Sequence, residues 1–180
     1  NWYGITCSNP GNYNNGNGKV VSLNWARQEL TGYVNEELSI LADTLQHLDL
    51  AQNALRGDLD IFWQLPKLRN LYLFENQFSG SISNAVNNMR RLKKLYLGHN
   101  QLTGSIPSAF GGMGKPLEYL ILHHNQLSGR IPHGLRLRDL EYLDLSYNRL
   151  RGNLPTDWIQ GMISLRHLYL DNNRLSGELP

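Results

Sequence analysis

The chain has 180 residues, of which 41% are hydrophobic, and a formal net charge of +2 at pH 7. So small a charge argues against nucleic acid or an anionic membrane as the main partner. No segment approaches the roughly 18 consecutive apolar residues that a membrane-spanning helix needs, so we expect no direct membrane insertion. The chain begins with Asn1 and shows no signal segment, so we interpret it as a processed or trimmed piece.

The first 19 residues differ in composition from the rest of the chain. They contain the one cysteine of the sequence, Cys7, which excludes an internal disulfide framework and a cysteine-based zinc site. The stretch SNPGNYNNGNG, residues 8–18, is rich in asparagine and glycine, a composition that is typical of turns and loops. We interpret it as a flexible connection, with a ligand-binding loop as the alternative.

A repeated unit runs from about residue 20 to Pro180. Six segments share the pattern LxxLxLxxN, and a seventh, VVSLNWARQELTG, has Gln28 in the asparagine position. Members of this column lie 23 to 25 residues apart, and the repeats start near residues 20, 45, 68, 92, 117, 140 and 165. Because a unit of this size buries little apolar surface alone, each must stack on its neighbours. The repeat therefore predicts a solenoid.

Within each unit the pattern predicts a short strand followed by a turn. Apolar and polar residues alternate before the asparagine, as in Leu95, Tyr96 and Leu97, which is the period of a β-strand. Strands stacked in one direction form a parallel sheet. The glycine four residues after each asparagine, such as Gly104, suits a left-handed backbone.

The amide column is predicted to be a structural ladder. An amide side chain both donates and accepts hydrogen bonds, so it can satisfy backbone groups that the turns leave unpaired inside the stack. The ladder residues are Gln28, Asn53, Asn76, Asn100, Asn125, Asn148 and Asn173.

The outer side of each unit is predicted to carry short irregular or 3₁₀ segments. An apolar residue and often a proline follow the glycine, as in Ile106-Pro107. Apolar residues of the outer segments are expected to face the core; they include Phe62, Leu65, Phe110, Trp158 and Ile163. The predicted fold class is an α/β-type solenoid of seven repeats with a parallel concave sheet.

The full pattern LxxLxLxxNxLxGxIP resembles the plant-type leucine-rich repeat. That repeat is shared by plant receptor-kinase ectodomains, polygalacturonase-inhibiting proteins and related algal and protist proteins. The resemblance covers residues 20–180, although Asp60 and Ser83 stand where repeats two and three would carry proline. It implies an extracellular or cell-surface location in the secretory pathway, and a protein that continues beyond Pro180 with more repeats, a cap or a membrane anchor.

The segment at residues 1–19 is interpreted, from the same resemblance, as a partial N-terminal cap and loop. Residues 1–7, NWYGITC, are similar to the end of the family's cap, and Trp2, Gly4 and Cys7 match its motif. The resemblance implies that Cys7 is one half of a cap disulfide whose partner precedes Asn1. A buried free thiol is the alternative.

Aromatic and imidazole side chains concentrate at strand positions that are predicted to line the concave face. Six of the nine tyrosines and five of the six histidines fall there. Exposed aromatic residues are enriched at binding hot spots, which favours a protein or peptide partner; strand propensity and stacking between neighbours are the alternative explanation. The predicted partner-binding residues are Tyr72, Phe74, Tyr96, His99, Tyr119, Ile121, His123, His124, Tyr142, Tyr147, His167 and Tyr169.

Three of these histidines are close in the repeat register. His99 and His124 occupy one column in adjacent repeats, and His123 is next to them. Metal binding, pH sensing and ordinary exposed histidines are all compatible with such a cluster. Because no ligand spacing is defined and no carboxylate obviously converges on them, we predict no metal and no cofactor.

The sequence favours a non-catalytic recognition module that binds a protein or peptide through its concave face. An enzyme inhibitor or a structural subunit of an assembly is the alternative. Ice or polysaccharide binding is less favoured, since Thr31, Thr103 and Thr156 do not align in every repeat. No enzyme is expected, because an open curved sheet offers no closed site and no catalytic constellation is recognisable.

Overall fold

The computed structural model describes residues 3–8, 18–112, 117–135, 137–155 and 158–178, without the side chains of residues 158 and 159. Predictions that involve Trp2, the side chain of Trp158 or most of the loop at residues 8–18 concern parts outside this description. The strands within it are β1 (Ile5–Cys7), β2 (Val20–Asn24), β3 (Thr31–Tyr33), β4 (His47–Asp49), β5 (Ala54–Gly57), β6 (Asn70–Tyr72), β7 (Gln77–Ser81), β8 (Lys94–Tyr96), β9 (Gln101–Thr103), β10 (Tyr119–Ile121), β11 (Ser128–Gly129), β12 (Tyr142–Asp144), β13 (Arg149–Gly152), β14 (His167–Tyr169) and β15 (Arg174–Leu175).

One eight-stranded sheet contains a strand from every repeat. Its order is β1-β2-β4-β6-β8-β10-β12-β14, and all pairs are parallel except the antiparallel pair of β1 with β2. The register places each central leucine beside the next one, as Leu71, Leu95 and Leu120 do, and these three are fully buried. The predicted leucine-rich solenoid with a parallel sheet is confirmed.

Two further parallel sheets follow the turns, β3-β5-β7-β9 and β11-β13-β15. The sequence predicts only a turn and a glycine at these positions. The chain instead stays extended after the turn, because one apolar residue such as Leu102 points into the core while its neighbours stay exposed. At this point of each repeat Gly104 and its equivalents have the predicted left-handed conformation, with φ of +77° at Gly104.

The outer side consists of short segments, as predicted. In the part of the chain that the structure describes, three are 3₁₀ helices, Glu36–Leu41, Phe62–Gln64 and Asn84–Asn88, and two are single α-helical turns, α1 (Ala109–Gly112) and α2 (Trp158–Gly161). None of the helices in the described ranges is long and apolar enough to cross a membrane.

Of the predicted inward residues whose side chains the structure describes, all but one are correct. Phe62, Leu65 and Phe110 are completely buried, but Ile163 is 73% exposed. Met162 takes the inward place instead, since its carbonyl accepts the amide of Leu165 in the tight turn that leads into the strand. The signal is present in the register: the residue three positions before the first strand leucine is also buried in other repeats, as Leu65, Met89 and Leu137.

The amide ladder ties each turn to the repeat before it. Asn125 donates from Nδ2 to the carbonyls of Leu97, Leu122 and His123, at 2.9, 3.1 and 3.2 Å, and its Oδ1 accepts the amide of Leu102 at 2.9 Å. Asn76, Asn100 and Asn148 repeat the same four bonds in their own turns. The polar turn can therefore be packed inside the stack without leaving these backbone groups unpaired.

The antiparallel pair of β1 and β2 forms the described part of the N-terminal segment. Gly4 precedes β1 with φ of +77°, and a Cβ atom there would lie 2.0 Å from the carbonyl oxygen of Asn24. Only glycine fits so close an approach. Cys7 lies on β1 and is partly exposed, not buried.

Candidate ligand-binding face

The sheet face, by which we mean the solvent side of the eight-stranded sheet, carries its side chains in rows. Corresponding residues of adjacent parallel strands lie directly beside each other, as Tyr96 lies between Tyr72 and Ile121. Neighbouring strands are about 4.8 Å apart, so side chains of one row are in contact or nearly so. The register thus brings together residues that are some 23 to 25 positions apart in the chain.

The residue directly before each ladder amide lies in the turn, although His99, His124 and Tyr147 are predicted at strand positions. These residues share a left-handed conformation, with φ between 50° and 56°; they are Arg27, Gln52, Glu75, His99, His124, Tyr147 and Asn172. A left-handed backbone is unfavourable for such residues by roughly 1–2 kcal/mol each. Hydrogen bonds between turns offset this cost, as when the amide of His99 donates to the carbonyl of His123 at 3.0 Å.

The tyrosine row, by which we mean Tyr72, Tyr96, Tyr119 and Tyr142, runs along the sheet face and takes its members from two register columns. Ring centroids are separated by 5.0 Å between Tyr72 and Tyr96, 6.4 Å between Tyr96 and Tyr119, and 6.1 Å between Tyr119 and Tyr142. The last two pairs are stacked with interplanar angles of 24° and 20°. Lys94 lies beside the row, with its Nζ 4.9 Å from the ring centroid of Tyr119. The row is a continuous aromatic surface over four repeats.

A second row of rings runs along the turns. His99 stacks on His124 at 4.2 Å and 11°, and His124 stacks on Tyr147 at 4.1 Å and 10°. His123 meets this stack edge-on, with interplanar angles of 80° to His99 and 89° to His124. The four rings form one compact cluster at the end of the strands.

A groove of about 520 Å³ lies between the two rows. Its lining is mostly aromatic and comprises Tyr72, Phe74, Glu75, Tyr96, His99, Tyr119, Ile121, His123, Tyr142 and Asp144. A volume of this size is within the range of sites that hold a small molecule or a few peptide side chains.

Eight of the twelve predicted residues meet in this groove; His124, Tyr147, His167 and Tyr169 do not line it. Ile121 is predicted as an exposed contact residue. It does line the groove, but only 7% of it is exposed.

Glu75 and Asp144 also line the groove but are missing from the predicted set. They occupy the same sequence columns as His99 and Tyr96, so the register was a sufficient signal to find them.

Three tyrosines of the groove, Tyr72, Tyr96 and Tyr142, remain uncharged well above neutral pH. Burial, a hydrogen bond with Tyr169 and the nearby charge of Asp144 raise the pKa of Tyr142 to about 12. Burial is also the main cause that raises the pKa of Tyr72 and of Tyr96. Their hydroxyl groups are therefore available as both donors and acceptors of hydrogen bonds.

His99 is held in its neutral form. Burial is the largest cause that lowers its pKa, and the proximity of His124 and His123 lowers it further, against an opposing effect of Glu75. Since the ordinary pKa of histidine is already about 6.5, His99 is neutral at pH 7. Two carboxylates, Glu75 and Asp144, line the groove together with His99.

Comparison with known protein families gives matches over residues 67–89, 91–113 and 115–175, all to models described as leucine-rich repeats. The chain belongs to the leucine-rich repeat family. The repeats are of the plant type, since the similar proteins and structures include plant receptor kinases and their ectodomains.

Solved leucine-rich repeat structures resemble this one closely. A pollen receptor kinase 3 is 34% identical with a TM-score of 0.82, over 98% of this chain and 81% of that one. The Arabidopsis receptor kinase HAESA, solved with the peptide hormone IDA and the co-receptor SERK1, is 36% identical with a TM-score of 0.79, over 83% of this chain and 25% of that one.

Among curated relatives, Phytosulfokine receptor 1 of Arabidopsis thaliana is 32% identical over 88 residues, which is 48% of this chain and 8% of the receptor. The chain thus spans about a tenth of the length of the curated relatives it matches, 8% to 12% of each. The leucine-rich repeats are what these proteins share with it.

Proposed function

We propose that this chain is a non-catalytic recognition module that binds an extended peptide or protein segment along its sheet face. The observation that carries the proposal is the tyrosine row with its adjoining groove. Stacked, half-buried tyrosines lose little conformational freedom on binding, and their hydroxyl groups can bond to a peptide backbone. Solvent-facing aromatic surface of this extent is a recognised feature of interaction sites.

The similar structures support this proposal. The HAESA structure was solved with a peptide hormone and a co-receptor, and it shares the fold of this chain at 36% identity. From the same similarity we also propose that the chain is an extracellular part of a cell-surface or secreted protein. A disulfide from Cys7 to a cysteine outside this sequence would suit that compartment.

The charges of the groove suggest the chemistry of the ligand. Glu75 and Asp144 both line it, and burial lowers the pKa of the neighbouring His99 and so favours its neutral form. A peptide that carries a lysine or arginine side chain complements such a groove, because a partly desolvated carboxylate binds a cation more strongly than an exposed one does.

The tyrosine row is tested by the double variant Tyr96→Ser/Tyr119→Ser. A library of linear random peptides would be selected on the unmodified chain, and the enriched peptides measured on both proteins. We expect their affinity for the double variant to fall at least about 100-fold, since loss of one hot-spot tyrosine costs about 2 kcal/mol.

The matched control is Tyr33→Ser, which removes a tyrosine that is 68% exposed on β3, outside the eight-stranded sheet. This control should bind the peptides like the unmodified chain. Tyr96→Phe/Tyr119→Phe preserves the stacked rings and separates the contribution of the hydroxyl groups from that of the ring surface. Equal binding by the serine double variant and the unmodified chain would rule out the sheet face as the site.

A further inference from the structure

We propose that His99, His123 and His124 form a binding site for one transition-metal dication of the zinc, copper or nickel class. One ring nitrogen of each of these residues lies within 4.8 Å of the corresponding atoms of the other two. The proposal revises the expectation of no metal, and it does not depend on the identity of a peptide ligand.

The spacing of the three nitrogens is close to that of a coordinated set. Two nitrogens bound to one zinc ion at about 2.1 Å in tetrahedral geometry are separated by about 3.4 Å. The imidazoles therefore need to approach each other by at most about 1.4 Å, which side-chain rotation on the surface can supply. His99 and His124 are exposed, so their rings have room for this adjustment.

The ring orientations also suit three ligands on one ion. The rings of His99 and His124 are nearly parallel, with an interplanar angle of 11° and centroids 4.2 Å apart. The plane of the His123 ring is nearly perpendicular to both. One dication bound by the three imidazoles would keep coordination positions open for water or a further donor.

The unpaired nitrogen of His123 is an independent observation that points to a ligand. Its Nδ1 is buried and has no hydrogen-bond partner among the residues that the structure describes. Buried polar atoms without a partner are uncommon and are often satisfied by a water or an ion that binds there. Coordination of the dication through Nδ1 would give this nitrogen of His123 the partner that it lacks.

The lack of a side chain at Gly98 makes room for the His123 ring. A Cβ atom at position 98 would lie 2.7 Å from Cε1 and 2.9 Å from Nδ1 of His123, closer than non-bonded atoms approach. The backbone at position 98 is not left-handed. Glycine is needed there because the His123 ring occupies the space of a side chain. Gly98 and His123 occupy one column in adjacent repeats, which makes the cluster a product of the register.

Imidazole nitrogen is a favoured ligand of zinc, copper and nickel, whereas calcium and magnesium prefer oxygen. Two of the three ligands, His99 and His123, also line the groove. The ion would thus lie at the border of the groove, where its open positions are accessible to a carboxylate or imidazole of a bound molecule.

The test is calorimetric titration of the purified 180-residue chain with zinc chloride at pH 7.5, with copper(II) electron paramagnetic resonance as the second readout. We expect one ion per chain and at least a tenfold loss of affinity in both His99→Gln and His123→Gln. His167→Gln, which removes an exposed histidine of β14, is the matched control and should bind zinc like the unmodified chain.

Gly98→Ala keeps all three histidines but crowds the His123 ring, and it should weaken zinc binding by a similar factor. Circular dichroism of each variant establishes that it is folded. In the copper spectra, the nitrogen couplings of several imidazoles should be present in the unmodified chain and reduced in His123→Gln. The absence of zinc binding by the unmodified chain, or equal binding by His123→Gln and His167→Gln, would overturn the proposal.

Discussion

Replacement of Asn125 by alanine is expected to lower the free energy of unfolding by about 3 kcal/mol, the range for leaving buried polar groups without partners. The substitution removes the acceptor of the Leu102 amide and the donor to the carbonyls of Leu97, Leu122 and His123. These groups lie inside the stack, where water has poor access. The change would be measured by urea denaturation followed by circular dichroism.

Gln28→Ala is the matched control, because this amide occupies the same column at the N-terminal end of the ladder. Within the described ranges its Nε2 donates only to the carbonyls of Ala26 and Arg27 in its own turn, and these bonds are exposed. We expect a loss below about 1 kcal/mol, as for a solvent-accessible hydrogen bond. If Asn125→Ala cost no more than Gln28→Ala, the ladder would not be what stabilises the turns.

Replacement of Phe78 by alanine is expected to cost about 4 kcal/mol, within the 3–5 kcal/mol typical of large-to-small changes at buried aromatic residues. Phe78 lies on β7 and is 1% exposed. Its ring meets that of Phe62 edge to face, with the centroids 5.5 Å apart. Because each repeat packs mainly against its neighbours, a cavity here would weaken the packing of the first repeats against the rest. Thermal and urea denaturation would both record the loss.

Phe78→Leu distinguishes lost volume from a specific need for the aromatic ring. The equivalent position is leucine in neighbouring repeats, where Leu55 and Leu102 are buried in the same way. We expect this variant to lose about 1 kcal/mol, as for hydrophobic exchanges of similar size. A leucine variant as unstable as the alanine variant would show that the pair with Phe62, not the filled volume, dominates.

The repeat made the strand layer predictable, whereas individual departures from it could not be foreseen. Leucines at LxxLxL positions predict parallel strands because no other arrangement buries them all, and Leu71, Leu95 and Leu120 have this arrangement. The second set of strands was not predicted, since a single apolar residue such as Leu102 gives no period. Ile163 was misplaced because both it and Met162 are apolar, and only the register with Leu165 distinguishes them.

The groove was partly predictable for the same reason. The columns place Tyr72 beside Tyr96, and Tyr119 beside Tyr142 in the neighbouring column, without any knowledge of three-dimensional structure. The left-handed turns were not visible in the sequence, because residues as different as Glu75 and Tyr147 share that conformation. It is imposed by hydrogen bonds between turns and not by local preference. The histidine cluster depends on those turns, so its geometry could be found only in three dimensions.

The sheet face as the binding surface is tested most directly by hydroxyl-radical footprinting of the chain with and without the strongest selected peptide. Radical oxidation reports the solvent exposure of individual tyrosine and histidine side chains. One experiment therefore measures the exposure of both the tyrosine row and the row of rings along the turns. We predict protection of Tyr96, Tyr119 and Tyr142 in the complex, with Tyr33 on β3 oxidised to the same extent as before. Protection of Tyr33 with no change along the tyrosine row would contradict recognition through the sheet face.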